Sequence, residues 1–177
     1  RGAGARQLRA NLARAAPAAG PSELDRLVRA GLRSYARYWC EAFRLPSMDH
    51  DELGRQLDVL DIGMAFDALK ERGRGAILAL PHSGNWDMAG VWLAQNFGPF
   101  ATVAERLKPE SLYNRFLAYR ESLGFTVIPS SGGERPPFDV LSDWLNDNGI
   151  VCLMSDRDLS RRGVQVDFFG EPTRLPA

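Results

Sequence analysis

Long hydrophobic runs are missing from this sequence of 177 residues, in which 45% of the residues are apolar and 25% are charged. Because no stretch of 18 apolar residues occurs, no segment is predicted to span a bilayer, and we expect no signal peptide in it. Cysteine is also scarce. Cys40 and Cys152 lie far apart without metal-ligand spacing, which argues against a disulfide framework and favours free thiols in a reducing compartment. The composition predicts one globular domain with a sizeable core.

Lysine is nearly absent, since the basic residues are 20 arginines and two lysines. The net charge is zero but uneven, because residues 1–45 carry nine arginines and only three acidic residues. A basic front segment favours an anionic partner surface, either nucleic acid or membrane headgroups, although a solvated charged face explains it equally well. No nucleic-acid-binding motif is present, and we therefore expect no nucleic-acid partner.

The front of the chain is predicted to be helical. Residues 5–15 form one helix, residues 17–21 a break, and Ser22 with Asp25 marks the start of a long amphipathic helix that ends near Leu45. Its apolar stripe comprises Leu24, Leu27, Val28, Leu32, Tyr35, Trp39, Ala42 and Phe43. Off the stripe lie Arg26, Arg29, Arg33 and Arg37. The stripe either packs on a sheet or rests with the arginines on an anionic membrane surface, and the two are compatible.

The rest of the chain alternates between strand and helix patterns, after one or two further helices within Asp49–Lys70. Short apolar runs bounded by glycine or proline predict strands at Ala76–Leu80, Phe100–Ala104, Phe125–Pro129, Ile150–Met154 and Val164–Phe169. Helices are predicted between the first four, which indicates an α/β fold with a largely parallel central sheet flanked by helices. We predict a helical, membrane-facing N-terminal section over residues 1–70 and an α/β core over residues 71–177, incomplete at its C-terminal end.

The chain has only two histidines. His50 lies between acidic residues and is predicted to be exposed and without a role. His82 follows a predicted strand, and Asn85 can cap the helix that starts after it, which places Asp87 in the first helical turn. In an open α/β sheet, ligands bind at the carboxyl ends of the strands.

Histidine can take a proton from a hydroxyl, and a carboxylate bonded to its other ring nitrogen fixes the tautomer. No cysteine or serine motif stands beside His82 as a nucleophile. We therefore favour direct transfer to a hydroxyl that His82 activates, with Asp87 as its partner.

The segment His82-Ser-Gly-Asn-Trp-Asp87 resembles the His-x₄-Asp/Glu motif of lysophospholipid-type acyltransferases. With the preceding Gly73–Pro81, it resembles the branch that contains the lipid A late acyltransferases and the actinobacterial phosphatidylinositol mannoside acyltransferases. Residues 119–124 and 156–170 are similar to two later blocks of that family, and Arg157 with the Arg161-Arg162 pair is closer to the mannoside branch.

The resemblance implies an enzyme that moves a long acyl chain from acyl-CoA, or from acyl carrier protein, to a sugar hydroxyl of a glycolipid. No cofactor, metal or acyl-enzyme is implied, and the expected place is the cytoplasmic face of the plasma membrane, as a peripheral protein. The resemblance assigns His82 as general base, Asp87 as its orienting partner and Asp156 as a nearby acid. The implied substrate-binding residues are Glu105, Arg120, Arg157 and Asp158.

Other interpretations remain open. Asp156-Arg-Asp158 has the Asp-x-Asp form of metal-dependent glycosyltransferases, but three residues are weak support, and we predict no metal. Gly132-Gly133 offers backbone N–H groups to a phosphate but lacks the Lys-Ser/Thr of a P-loop, which favours a flexible loop. The alternatives in function are a lipid A-type acyltransferase, a hydrolase that activates water, and a non-catalytic module that binds lipid surfaces.

Overall fold

The computed structural model describes residues 2–56, 71–156, 158 and 163–176. The chain divides into two compact units, Arg44–Ser155 as one and Arg1–Phe43 with Asp156–Ala177 as the other. This division differs from the predicted sections, whose boundary at residue 70 lies outside the described residues.

Four parallel strands form the sheet of the unit Arg44–Ser155, in the order β1–β4–β2–β3. They are β1 (Ala76–Leu80), β2 (Phe100–Ala104), β3 (Phe125–Pro129) and β4 (Ile150–Met154). All four lie at their predicted positions, and the prediction of a largely parallel sheet flanked by helices is confirmed. Because the strands are parallel, their carboxyl ends meet at one edge.

Helices cover both faces of this sheet. They are α3 (His50–Gln56), α4 (Trp86–Phe97), α5 (Glu110–Ser122) and α6 (Pro137–Asn146). One face packs against α3, α4 and α5 through Leu53, Val91, Leu93, Phe100, Leu117, Val127 and Cys152. The opposite face packs against α6 through Ala101, Ile128, Val140, Leu141, Trp144 and Val151. The chain moves across the sheet in one direction from β1 to β2 to β3, through α4 and α5, and then in the opposite direction from β3 to β4, through α6. Because crossovers between parallel strands are right-handed, this change of direction places α6 on the face opposite to α4 and α5.

The other unit begins with two helices, α1 (Ala3–Ala15) and α2 (Pro21–Arg44), on either side of the predicted break. Helix α2 starts at Pro21 rather than at Ser22, because proline at the first helical position loses no hydrogen bond. The two helices approach closely at Gly31, where an added Cβ would lie 3.2 Å from Leu8 Cδ2.

Most of the predicted stripe of α2 is not buried. Val28 and Ala42 are buried, whereas Leu32, Tyr35, Trp39 and Phe43 are exposed, and we call these four the exposed ridge. The ring of Trp39 contacts Tyr35 at 6.0 Å and stacks on Phe43 at 5.7 Å between centroids. Within the described ranges, none of the helices combines the length and apolar content needed to cross a bilayer.

A two-stranded antiparallel hairpin, β5 (Val164–Phe168) and β6 (Glu171–Leu175), completes this unit. The predicted strand at Val164–Phe169 therefore exists one residue shorter, but it pairs with β6 in a separate sheet. The sequence did not predict β6, because Pro172 and its polar neighbours hide the strand pattern. Phe169 and Gly170 form the turn with φ values of 53° and 75°, a pair of positive angles that type I′ hairpin turns require.

The prediction that His50 is exposed is wrong, whereas its lack of a functional role stays a prediction. The side chain is half-buried, and its Nε2 lies 2.9 Å from the carbonyl oxygen of Leu45, within hydrogen-bonding distance. Of the helices predicted within Asp49–Lys70, α3 is described, and residues 57–70 lie outside the described residues.

Helix α4 packs tightly against the sheet at Gly90. An added Cβ there would lie 2.5 Å from Phe125 Cζ and 3.1 Å from Phe100 Cζ, and those two rings already pack with centroids 4.8 Å apart. Space for a side chain is therefore absent at this point of the core.

We expect Gly90→Ala to destabilise the full-length protein by about 1–3 kcal/mol, since overpacking a filled core outweighs the gain in helix propensity. The matched control is Gly54→Ala in α3, where the added Cβ meets Gln95 Oε1 at an ordinary 3.6 Å. Urea unfolding should show Gly54→Ala unchanged or more stable. Equal midpoints for the two variants would contradict the packing of α4.

Candidate active site

His82 lies in a tight turn at the carboxyl end of β1. The Ser83 N–H donates to the carbonyl oxygen of Pro81 at 2.8 Å, and Gly84 has a φ of 67°, which suits glycine. The Asn85 side chain accepts from the Met88 N–H at 3.1 Å, and the predicted cap of α4 is therefore confirmed. The turn leaves His82 exposed to solvent.

The imidazole of His82 has an aromatic neighbour in the next helix. Trp86, the first residue of α4, meets it edge to face, with ring centroids 5.5 Å apart and planes at 81°. Such aromatic pairs favour defined ring geometries. The contact gives the exposed ring a preferred position on the turn.

Asp87 is the most deeply buried carboxylate among the described residues, with 2% of its surface exposed. Its Oδ1 accepts a hydrogen bond from Arg120 Nη2 at 2.9 Å, and the Arg120 side chain is 13% exposed. The Arg120 guanidinium also lies over the Phe116 ring, 4.5 Å from its centroid. A charged pair so far removed from water depends on both partners, because losing one leaves an uncompensated charge at a cost of about 3–5 kcal/mol.

Tyr119 belongs to the same cluster, although the sequence analysis gave it no role beyond its place in the block of residues 119–124. Burial raises the pKa of Tyr119 to about 12, and the Asp87 carboxylate adds to the increase. Two features of the sequence could have indicated this cluster. Tyr119 directly precedes Arg120, and Phe116 precedes Arg120 by about one helical turn. The separation of 33 residues from Asp87 hid the contact itself.

The remaining predicted residues lie in different places. Glu105 follows β2 directly and is exposed. The carboxyl ends of β2 and β1 lie two strand spacings apart, or about 10 Å, because β4 lies between these strands. The chain leaves β4 between them, at Ser155, whose N–H donates to the Leu80 carbonyl at 2.8 Å. Asp156 is the next residue and the first of the other unit, and its role as an acid stays a prediction.

Asp158 takes part in the local structure of its own unit. Its carboxylate accepts from the Gly163 N–H at 2.7 Å, and its own N–H donates to the Arg174 carbonyl at 3.1 Å. These bonds hold the start of the β5–β6 hairpin, and substrate binding by Asp158 stays a prediction. Arg157 lies outside the described residues.

Two alternative sites can be compared with the geometry. Across the described ranges, no three His, Cys, Asp or Glu side chains are grouped so that they could hold a metal ion. In the Gly132-Gly133 loop, the Gly132 carbonyl accepts a hydrogen bond from Arg106 Nη1 at 2.6 Å, and phosphate binding by this loop stays an alternative that the contact does not test.

The whole chain, residues 1–177, matches a sequence model of the bacterial lipid A biosynthesis acyltransferases. A phosphatidylinositol mannoside acyltransferase of Mycolicibacterium smegmatis is 67% identical over 177 residues, which cover 100% of this chain and 58% of that protein. One of Mycobacterium tuberculosis is 63% identical, with coverage of 98% and 55%. The chain thus spans little more than half the length of these relatives. It belongs to the bacterial lipid A biosynthesis acyltransferase family.

Proposed function

We propose that the protein is a membrane-associated O-acyltransferase that moves a long acyl chain from acyl-CoA to a sugar hydroxyl of a phosphatidylinositol mannoside. The observation that carries the proposal is the strand–turn–helix unit of β1 and α4. It offers an exposed imidazole at the carboxyl edge of the sheet, five residues before a buried carboxylate. The names of the mycobacterial relatives support this acceptor over a lipid A precursor.

In the proposed reaction His82 acts as general base. It accepts the proton of the acceptor hydroxyl while that oxygen attacks the thioester carbonyl carbon. The tetrahedral intermediate then collapses, the C–S bond breaks, and the thiolate of CoA takes the proton back from the His82 imidazolium as the ester is released, which returns His82 to its neutral form. No covalent acyl-enzyme is needed, since the acceptor oxygen is itself the nucleophile.

Asp87 is proposed to orient His82 and to stabilise the imidazolium that forms. Its ion pair with Arg120 supports this role, because a carboxylate that accepts a charge-assisted hydrogen bond is held in one position. Arg120 then acts on the reaction through Asp87, in addition to the substrate contact that the family resemblance implies.

The acceptor is proposed to lie along the carboxyl edge of the sheet, from His82 towards Glu105. The spacing of about 10 Å between the ends of β1 and β2 suits a sugar ring with its substituents. Asp156, Arg157 and Asp158 remain proposed as an acid and as acceptor contacts. No cofactor is proposed.

Membrane association is proposed through α2. The exposed ridge combines aromatic and aliphatic side chains, and Arg33 and Arg37 are exposed on the same helix. Interfacial helices use apolar side chains for insertion and basic ones for anionic headgroups. We place the protein at the cytoplasmic face of the plasma membrane as a peripheral protein.

Replacing His82 tests the mechanism. We expect His82→Ala in the full-length protein to lower transfer from palmitoyl-CoA to a mannosylated phosphoinositide by at least about a hundredfold, because the general base is lost. The matched control is His50→Ala, the same change at the other histidine, which should keep kcat within about threefold. Transfer is followed by radiolabelled acyl product.

Near-normal turnover by His82→Ala would remove His82 from the mechanism. Faster acylation from acyl carrier protein, or of a Kdo-lipid acceptor, would reassign the donor or the acceptor. Thioester loss without acceptor acylation, dependent on His82, would indicate the hydrolase instead.

A non-catalytic lipid-binding module is the second candidate, which the exposed ridge favours. We expect vesicles of phosphatidylinositol and phosphatidylcholine to bind the full-length protein in sedimentation assays, and binding should weaken as salt rises. Arg33→Gln/Arg37→Gln and Trp39→Ala/Phe43→Ala should each reduce binding about tenfold, whereas Arg55→Gln, in the other unit, should not. Vesicle binding by a full-length protein that shows no acyl transfer would favour the module. Equal binding by all variants would contradict docking through α2.

A further inference from the structure

The connections that follow β2 and β3 leave the carboxyl edge of the sheet on opposite faces. After β2 the chain turns to α5 on one face of the sheet, and after β3 it turns to α6 on the opposite face. In open α/β sheets, ligands bind where neighbouring connections diverge in this way. We call this place, between residues 105–109 and 130–136, the β2–β3 crevice.

Arg106 spans the mouth of this crevice. Its Nε and Nη2 donate to the two carboxylate oxygens of Glu110, at 3.1 and 2.6 Å, in the first turn of α5. Its Nη1 donates at 2.6 Å to the carbonyl oxygen of Gly132, in the loop after β3. The guanidinium lies 5.5 Å from the ring centroid of the buried Tyr113. One side chain thus joins three segments at the edge of the sheet.

The backbone around Arg106 has features that fit this arrangement. The Ser130 N–H donates to the Ala104 carbonyl at 2.8 Å, so the two loops are also joined where they leave their strands. Gly132 has a φ of 69°, and an added Cβ would lie 2.9 Å from Arg106 Nη1. The positive φ therefore favours glycine at this position, and an added Cβ would displace the Arg106 guanidinium.

The three hydrogen bonds use the planar fork of arginine. Two parallel N–H groups meet the carboxylate while a third points away towards a carbonyl, a pattern that the single ammonium of lysine cannot reproduce. The same pairing raises the pKa of Arg106 and lowers that of Glu110. Both side chains are thereby kept charged and paired with each other.

We propose that Arg106 is a positioning residue that holds the β2–β3 crevice at a fixed width and so fixes the adjacent Glu105 for the acceptor. The first part of this proposal, that Arg106 holds the crevice at a fixed width, is independent of the proposed function. The second part, that Arg106 fixes Glu105 for the acceptor, rests on the proposed function, in which Glu105 contacts the acceptor. Arg106 touches no reacting atom, and its effect passes through the two loops that it joins.

Hydrogen exchange in the full-length protein tests the first part. Arg106→Lys keeps the charge but loses the fork, and Gly132→Ala displaces the guanidinium without changing any charge. Both should speed exchange of the peptide that contains Ser130 by about tenfold. The matched control is Arg135→Lys, whose exposed pair with Asp143 at 2.8 Å joins nothing across the crevice and should leave this exchange unchanged.

Acylation kinetics test the second part. Arg106→Lys should raise the KM for the mannosylated phosphoinositide by about fivefold to tenfold, while the KM for palmitoyl-CoA and kcat stay within about twofold of wild type. Unchanged exchange at Ser130 in both Arg106→Lys and Gly132→Ala would overturn the proposal. Faster exchange with an unchanged acceptor KM would overturn the link to Glu105. If His82→Ala kept full acylation activity, the proposed function would fail while the exchange result still decided the role of Arg106.

Discussion

The buried ion pair between Asp87 and Arg120 is the constraint on which the candidate site depends. Taking two charges out of water is costly, and the pair is sustained only by close geometry, here 2.9 Å between Nη2 and Oδ1. Because Asp87 lies in the first turn of α4 and Arg120 lies near the end of α5, the pair ties these helices together. The turn that carries His82 ends where α4 begins, so the same bond limits how far this turn can move.

The order of the strands gives the site its layout. Inserting β4 between β1 and β2 separates His82 from Glu105 by the width of two strand spacings and leaves Ser155 between them. After β3 the chain changes its direction across the sheet and returns to β4, so the loops after β2 and β3 diverge at the β2–β3 crevice. Arg106 joins these two loops. The carboxyl edge therefore holds the proposed base, His82, at one end and the two loops joined by Arg106 at the other.

The strands of the main sheet were predictable because each is a short apolar run bounded by glycine or proline, and the cap at Asn85 was readable from the residues before α4. The contact of Asp87 with Arg120 was not, since periodicity reports which face a residue occupies and not what lies opposite. For the same reason the stripe of α2 left open whether Trp39 and Phe43 pack on a sheet or are exposed. Strand β6 was missed because Pro172 breaks its pattern, and the pairing partner of β5 is a tertiary property.

The kinetics of Arg120→Lys in the full-length protein test most directly whether this ion pair serves the reaction. The variant keeps the positive charge, so Asp87 retains a partner, but it loses the geometry that fixes the carboxylate. The account predicts that kcat for acyl transfer falls by about a hundredfold, a larger change than any rise in the KM of donor or acceptor. A raised KM with an unchanged kcat would show that Arg120 binds substrate and does not position Asp87, and would contradict the account.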